Sequence, residues 1–292
     1  MTILIITKHI TSVKYCEGNQ KLYVIFKDNI IVDLNINSID ICWRLFAIRY
    51  ANIYNIRVTF SRGVLSMEIL YLGKTKDVYK LSNGNILLKF KDDVTGKDGK
   101  FDPGENTVGL SIEGMGRANL QTSSMFFKKL KEKGIKTHYI SSNLKDSTME
   151  VLPCKPFGKG LEVICRLVAT GSFIRRYGDY ISNATPLKEW YVETTLKDDL
   201  RGDPLVTCDG LVTLGIMSKV MYENMKKQTL EITKIVVDIL KEKGLDLWDI
   251  KFEFGFYDDE VILMDEISSG NMRVYKDGVI VDPITLTSIL NS

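Results

Sequence analysis

Leu247-Trp248-Asp249-Ile250-Lys251-Phe252-Glu253-Phe254-Gly255, followed after a short polar stretch by Val261-Ile262-Leu263-Met264-Asp265-Glu266-Ile267, decides the fold. From Asp249 to Phe254 it alternates strictly. A strand therefore puts Asp249, Lys251 and Glu253 on one face and Ile250, Phe252 and Phe254 on the other. Residues 255–260 can turn the chain, which sets Asp265 and Glu266 on an antiparallel neighbour. One face then gathers several carboxylates around a lysine. Such a face can be merely solvated. It can also hold Mg²⁺, because hard oxygen ligands from two strands, completed by phosphates, are what that ion uses.

Upstream, Leu161-Glu162-Val163-Ile164-Cys165-Arg166 predicts a second strand with Glu162, Ile164 and Arg166 on one face. After it, Gly171-Ser172 offers backbone N–H groups and a hydroxyl where the chain turns into a helix, an anion cradle, while Arg175-Arg176 reads equally well as an exposed helix edge. Nearer the start, Gly73-Lys74-Thr75-Lys76 lies between two strands. Glycine lets the backbone close over a phosphate chain and two ammonium groups can neutralise it. The Walker pattern is absent, however, and a solvated lysine turn looks the same. Leu196-Lys197-Asp198-Asp199 to Gly202-Asp203-Pro204 is a polar loop carrying both signs. His9 and His138 are too few and too far apart for a metal cluster or a serine triad and read as structural.

Around these segments the pattern predicts strands over residues 67–72, 77–81 and 86–90, a helix over 119–133 closing on Gly134, a strand over 138–140, and a helix over 218–243 closing on Gly244. Mixed strands and isolated long helices without a βαβ rhythm favour an α+β fold. The 292 residues are 45% hydrophobic and 26% charged, and 39 Lys+Arg against 37 Asp+Glu leave a formal +2. That balance excludes a global field recruiting nucleic acid or an anionic membrane, so any polyanion site is local. Five cysteines without a CxxC pair point to a reduced, intracellular protein. The run Ile3-Leu4-Ile5-Ile6 stops at Thr7-Lys8-His9, too short for a span or a signal core, and the expectation is a soluble, cytoplasmic protein. Composition shifts near Met67: residues 1–66 hold two of 22 glycines, no proline, and four acids against eight Lys+Arg. This stretch, with a hairpin expected over 21–26 and 30–34, reads as an accessory β-rich piece, or as upstream sequence if translation begins at Met67.

Taken in order, the motifs resemble those of the SAICAR synthetase family. Glu162-Val-Ile-Cys-Arg166-Leu-Val-Ala-Thr-Gly171-Ser172 is similar to its ExxxRxxx[TA]GS signature, and Asp249-Ile-Lys251-Phe-Glu253-Phe-Gly255 to its DxKxEFG signature. Gly73-Lys74-Thr75-Lys76-Asp77-Val78-Tyr79, Phe90-Lys91-Asp92-Asp93-Val94-Thr95, Lys197-Asp198-Asp199 and Asp265-Glu266-Ile267-Ser268 add to the likeness, which spans about residues 67–275. The resemblance implies a small antiparallel β nucleotide-binding lobe (67–150) and a larger mixed α+β lobe with the substrate and metal site (151–292), the ATP cleft between them, and 1–66 outside the match.

The activity implied is ATP-dependent ligation of L-aspartate to the carboxylate of carboxyaminoimidazole ribonucleotide (CAIR) through an acyl phosphate, in purine biosynthesis. Carried over residue by residue, Gly73, Lys74, Lys76 and Glu253 hold ATP, and Glu253 and Asp265 bind Mg²⁺. Lys251, Asp249 and Lys197 act at the reacting groups; Glu162, Arg166, Ser172, Asp203 and Arg273 surround CAIR or aspartate. The partners implied are these small molecules, with no nucleic acid or membrane and with a homo-oligomer left open. The chain departs from the family where Gly160 replaces a common proline, and where Ser269-Gly270-Asn271 follows Ser268 in place of a proline and a third acid, with Asn271 as its stand-in. Two other readings remain at this stage: a related phosphotransferase on another acceptor, and a non-catalytic nucleotide-binding module.

Overall fold

The computed structural model describes residues 10–16, 21–26, 31–35, 57–62, 65–97, 100–101 and 108–291. His9, the run Ile3-Leu4-Ile5-Ile6 and Cys42 lie outside them. The chain divides into two compact units, one taken from Met1–Leu72 and Val78–Leu87, the other from Gly73–Asp77 and Leu88–Ser292.

In the first unit, runs rich in β-branched and aromatic residues form β1 (Ile10–Cys16), β2 (Lys21–Phe26), β3 (Ile31–Asn35), β4 (Arg57–Arg62) and β5 (Leu65–Leu72). β2 pairs antiparallel with β1 and with β3, β1 runs parallel to β4, and β4 pairs antiparallel with β5. The expected hairpin over residues 21–34 is the β2–β3 pair. Beyond the glycine turn come β6 (Lys76–Lys80) and β7 (Ile86–Phe90), then β8 (Asp93–Lys97), β9 (Lys100–Phe101) and β10 (Val108–Ser111), the last three forming a small antiparallel sheet.

The second unit is built on α1 (Met115–Glu132), the hairpin β11 (Tyr139–Asn143) and β12 (Thr148–Val151), β13 (Lys155–Pro156), β14 (Leu161–Val168), α2 (Ser172–Tyr177), β15 (Pro186–Leu196), α3 (Cys208–Thr213), α4 (Lys219–Glu242), β16 (Asp246–Tyr257), β17 (Glu260–Met264), β18 (Met272–Lys276), β19 (Val279–Ile280) and α5 (Pro283–Asn291). Its main sheet runs β15-β14-β16-β18-β19, with β13 and β17 also paired to the long β16. The apolar face of this sheet, with Val163, Cys165, Ile250 and Phe252 fully buried, lies against α4, whose Met225, Ile232, Val236 and Leu240 are buried as well. Burying one such aliphatic or aromatic side chain contributes roughly 1.5–3 kcal/mol. The opposite face is polar, and it carries the site.

Helix ends follow local chemistry in part. Ser218 caps α4 by accepting from the Met221 N–H at 3.2 Å, and both long helices stop before a glycine with positive φ, Gly134 at 78° and Gly244 at 69°. α1 begins at Met115, four residues before the predicted start. The Asp92 carboxylate, from the connection between β7 and β8, accepts from Gly114 N at 3.1 Å and Gly116 N at 2.8 Å and satisfies the first turn.

The central hairpin also differs from the pattern. β16 runs through Gly255 to Tyr257, and the turn is Asp258-Asp259, both residues at positive φ. Gly255 is a strand residue because a Cβ there would lie 2.7 Å from Met264 Sδ and 2.9 Å from Cys154 Cβ. β17 ends at Met264, so Asp265 and Glu266 stand just past the strand and not on it. Asp265, at φ 67°, is where the chain leaves the sheet.

Candidate active site

Register explains why the polar side chains meet. On β14 and β16, Arg166 pairs with Asp249 and Ile164 with Lys251, and β18 sets Arg273 opposite Asp249. Directly opposed residues of an antiparallel pair point to the same face, and positions two apart are diagonal neighbours within reach of long side chains. Arg166 Nη1 donates to Asp249 Oδ2 at 2.8 Å, Arg273 Nη1 donates to the same oxygen at 2.8 Å, and Lys251 Nζ reaches diagonally to Glu162 Oε1 at 2.7 Å. Arg166 and Asp249 are both buried. An ion pair in such surroundings persists only when its remaining donors and acceptors are satisfied. Arg166 meets this condition through Ser172 Oγ, at 2.7 Å from Nη2, and the Thr170 carbonyl. Gly171, at φ 57°, is required here: a Cβ would fall 3.0 Å from both Arg273 Nη atoms.

Farther along the same face, Glu253 is in register with Met264, which places it beside Asp265 at the hairpin's end. Lys197 Nζ donates to Glu253 Oε1 at 2.7 Å, and Lys76, from the glycine turn, lies 2.9 Å from Asp265 Oδ1 and also pairs with Glu266. The turn that presents Lys76 is closed by Gly73 N donating to the Lys76 carbonyl at 2.9 Å, and Lys91 Nζ donates to the Gly73 carbonyl at 2.9 Å.

Burial and the Asp265 charge push the Glu253 carboxyl up, against the pull of Lys197. Burial acts on Asp265 in the same sense, but Lys76 and Lys197 outweigh it and bring that carboxyl below its usual range. Burial lowers the pKa of Lys76 and Lys197, but both are held well above the ordinary lysine value, by Asp265 and Glu266 in the first case and by Glu253 and Asp265 in the second. The site is thus two crowded carboxylates between two firmly charged ammonium groups.

Among the described residues no group of three or more His, Cys, Asp or Glu side chains is placed to hold a metal ion. Mg²⁺ needs fewer protein ligands than that, one or two carboxylates with nucleotide phosphates supplying the rest. The Glu253–Asp265 pair fits: its oxygens are hard donors, and the repulsion that raises Glu253 is what a divalent cation would relieve.

The remaining sequence-predicted residues are placed as follows. Lys74 is half-exposed and pairs with Asp199 at 2.5 Å. Asp203, at φ 48°, turns its carboxylate into its own loop, Oδ1 accepting from Asp198 N at 2.7 Å, so it braces the segment carrying Lys197. Asn271 spends its amide on the loop after Asp265, accepting from Ser268 N at 2.8 Å and donating to the Glu266 carbonyl at 2.7 Å.

Four further residues belong to the site; the sequence pattern left Glu193 unmarked and assigned Glu266, Arg176 and His138 no role at the reacting groups. Glu266 and Glu193 are buried carboxylates, each facing a cation. Arg176 turns inward to Glu193, not outward as a helix edge. His138 sits behind Asp265, its Nε2 3.0 Å from the Asp265 carbonyl oxygen, and burial lowers its pKa to about 4, so it is neutral at pH 7. Burial also pushes the thiols of Cys165 and Cys154 up, to about 11 and about 12, so neither is a ready nucleophile.

Comparison with known proteins bears on this face directly. The SAICAR synthetase family model matches residues 69–281, which takes in the glycine turn and every side chain of the face just described. The chain belongs to the SAICAR synthetase family. It is 54% identical over 226 residues to the phosphoribosylaminoimidazole-succinocarboxamide synthase of Clostridium tetani, covering 77% of this chain and 99% of that one. Identity with the same enzyme of Thermotoga maritima is 41% over 214 residues, 73% of this chain and 87% of its relative. Among solved structures, a SAICAR synthetase in complex with ADP superposes with a TM-score of 0.63 at 32% identity, over 70% of this chain and 83% of that chain. The family's α+β architecture and antiparallel sheets are those found here. No helix among the described residues is long and apolar enough to cross a membrane.

Proposed function

We propose that this SAICAR synthetase joins L-aspartate to the carboxylate of CAIR while cleaving ATP to ADP and phosphate. One observation carries the reading: the Lys76 ammonium of the glycine turn and the Lys197 ammonium meet Glu253 and Asp265 on the sheet face that also holds the Arg166–Asp249–Arg273 cluster. Phosphoryl and carboxylate groups can be held together only where cations offset their repulsion. This face supplies cations at both ends.

A resonance-stabilised carboxylate is a poor acyl donor. It first takes the γ-phosphoryl group of ATP, forming a C–O–P linkage and releasing ADP. The aspartate amine then attacks the acyl carbon, the new C–N bond forms, and phosphate leaves. The protein contributes position and charge, not a covalent intermediate. Gly73, Lys74 and Lys76 receive the ATP phosphates. Glu253 and Asp265 hold Mg²⁺, which, when bound, neutralises phosphoryl charge. Lys251, Asp249 and Lys197 orient the reacting groups. Glu162, Arg166, Ser172 and Arg273 surround CAIR or aspartate, and Asp203 acts through its loop. His138, neutral and fixed on the Asp265 carbonyl, keeps that carboxylate aimed.

In this reading residues 67–150 carry the nucleotide, 151–292 carry the substrates and the metal, and 1–66 are accessory. A cytoplasmic location, where ATP, CAIR and aspartate occur together, goes with it.

The test is ADP release with each substrate omitted in turn. Release that requires both CAIR and aspartate supports the ligase; release with another acceptor, or with neither, overturns it. The Arg166→Ala variant is expected to raise the CAIR requirement at least tenfold more than the ATP requirement, and equal effects would take Arg166 out of the substrate site.

A further inference from the structure

Arg166 has no N–H to spare. Its Nε and Nη2 donate to Glu193 Oε1 at 2.8 and 2.6 Å, its Nη1 serves Asp249 and the Thr170 carbonyl, and Nη2 also serves Ser172. The five guanidinium N–H groups are thereby met by four acceptor atoms, Glu193 Oε1 taking two of them, in a side chain only 3% exposed. Glu193 is the second hub. Besides Arg166 it takes Arg176, whose Nη2 donates to both carboxylate oxygens at 2.6 Å. Arg176 is the exposed member of the set, at 28%, and its Nε and Nη1 have no hydrogen-bond partner among the described residues. Three guanidiniums, Arg166, Arg176 and Arg273, thus share two carboxylates, Glu193 and Asp249.

We propose that Glu193 is a positioning residue for the anionic end of CAIR: it locks Arg166 in place and, through the same carboxylate, turns Arg176 from the rim of α2 into the site, where its unspent N–H groups meet the substrate's anion. The inference rests on the reading of this face as the CAIR site. Its physical basis is register. Glu193 on β15 is paired with Ile164, two positions from Arg166 on β14, and the diagonal spacing suits a long guanidinium and a glutamate. Burying Glu193 beside Val192 and Thr194 is costly without a cation, and two cations on one carboxylate fix both side chains at the rotamers they need. Phe173, with Arg166 over its ring at 5.9 Å, and Tyr177, with Arg176 over its ring at 5.5 Å, hold the two guanidinium planes from the side.

Steady-state kinetics of Glu193→Gln and Arg176→Gln, with each of the three substrates varied in turn, test this. Glu193→Gln is expected to raise the KM for CAIR at least tenfold while the KM for ATP moves less than twofold, and Glu193→Asp, which keeps the charge, recovers part of the loss. Arg176→Gln raises the KM for CAIR as well, and the double variant is no worse than Glu193→Gln alone, because the two residues act as one unit. A CAIR KM within twofold of wild type in Glu193→Gln, or equal effects on CAIR and ATP, overturns the proposal. If Glu193→Gln does not fold, Arg176→Gln decides it, and an unchanged CAIR KM there overturns it. Arg166→Ala separates the two levels: no effect on the CAIR KM removes the reading of the face itself, whereas an effect there with Glu193→Gln silent removes only the positioning role.

Discussion

Asp265 is asked to do two things at once. Its backbone stands at φ 67°, a conformation Asp and Asn tolerate better than most residues, and its carboxylate faces Lys76. Asp265→Asn keeps the first property and removes the second. We expect turnover to fall by about a hundredfold or more, the scale of losing one electrostatic group at a reacting phosphoryl centre, with the melting temperature within about 3 °C of wild type. An ADP-release assay beside a thermal melt checks both; normal turnover would take Asp265 out of the proposed metal site. Asp249, Lys251 and Glu253 could be read from the sequence because a period of two is a local property of strands. Glu193 could not. Its burial depends on Arg176 and Arg166, 17 and 27 positions away, and nothing in Glu189-Trp190-Tyr191-Val192-Glu193 distinguishes it from Glu189, which lies in an exposed part of the same strand.

At the scale of elements, the helices were legible at their C-terminal ends, where Gly134 and Gly244 permit the left-handed residue that stops them. The start of α1 was not legible, because its cap, Asp92, comes from outside the helix. α5 went unread as well, although Asp282-Pro283 is a cap followed by a proline at the first helical position. Asp282 Oδ1 accepts from Ile284 N at 3.1 Å and Thr285 N at 3.0 Å. Partial burial would raise its carboxyl, but these hydrogen bonds hold it below the usual carboxylate range. A depressed acid stabilises the fold above its unfolded value and loses that contribution as pH falls through its folded value. Asp282→Ala is therefore expected to cost about 1 kcal/mol at pH 7, the gap from wild type closing at acid pH, below the ordinary carboxylate value. Urea melts of the two proteins at pH 7 and at acid pH measure it, and a gap that stays constant would refute the cap's charge as its source.

For the whole molecule, the Clostridium tetani relative is covered over 99% of its length by 77% of this chain, and the family match begins at residue 69. A protein beginning at Met67 is accordingly expected to keep kcat and the KM for ATP within about threefold of the full chain, since a residue outside the site rarely shifts them further. Loss of turnover in a folded 67–292 protein would give residues 1–66 more than an accessory role. The near-neutral total charge argues against a global polyanion-recruiting field, and the pairing of the site's lysines is in keeping with it. Lys74 faces Asp199, Lys76 faces Asp265 and Glu266, Lys197 faces Glu253 and Lys251 faces Glu162. Each of these ammonium groups already faces an acid, so a ligand oxygen that takes one of its N–H donors competes with an ionic contact already made. Ionic strength then weakens what is lost about as much as what is gained, and nucleotide affinity measured by calorimetry in 50 and 300 mM KCl should differ by no more than about threefold. A drop of tenfold or more would mean that unpaired cations do the holding.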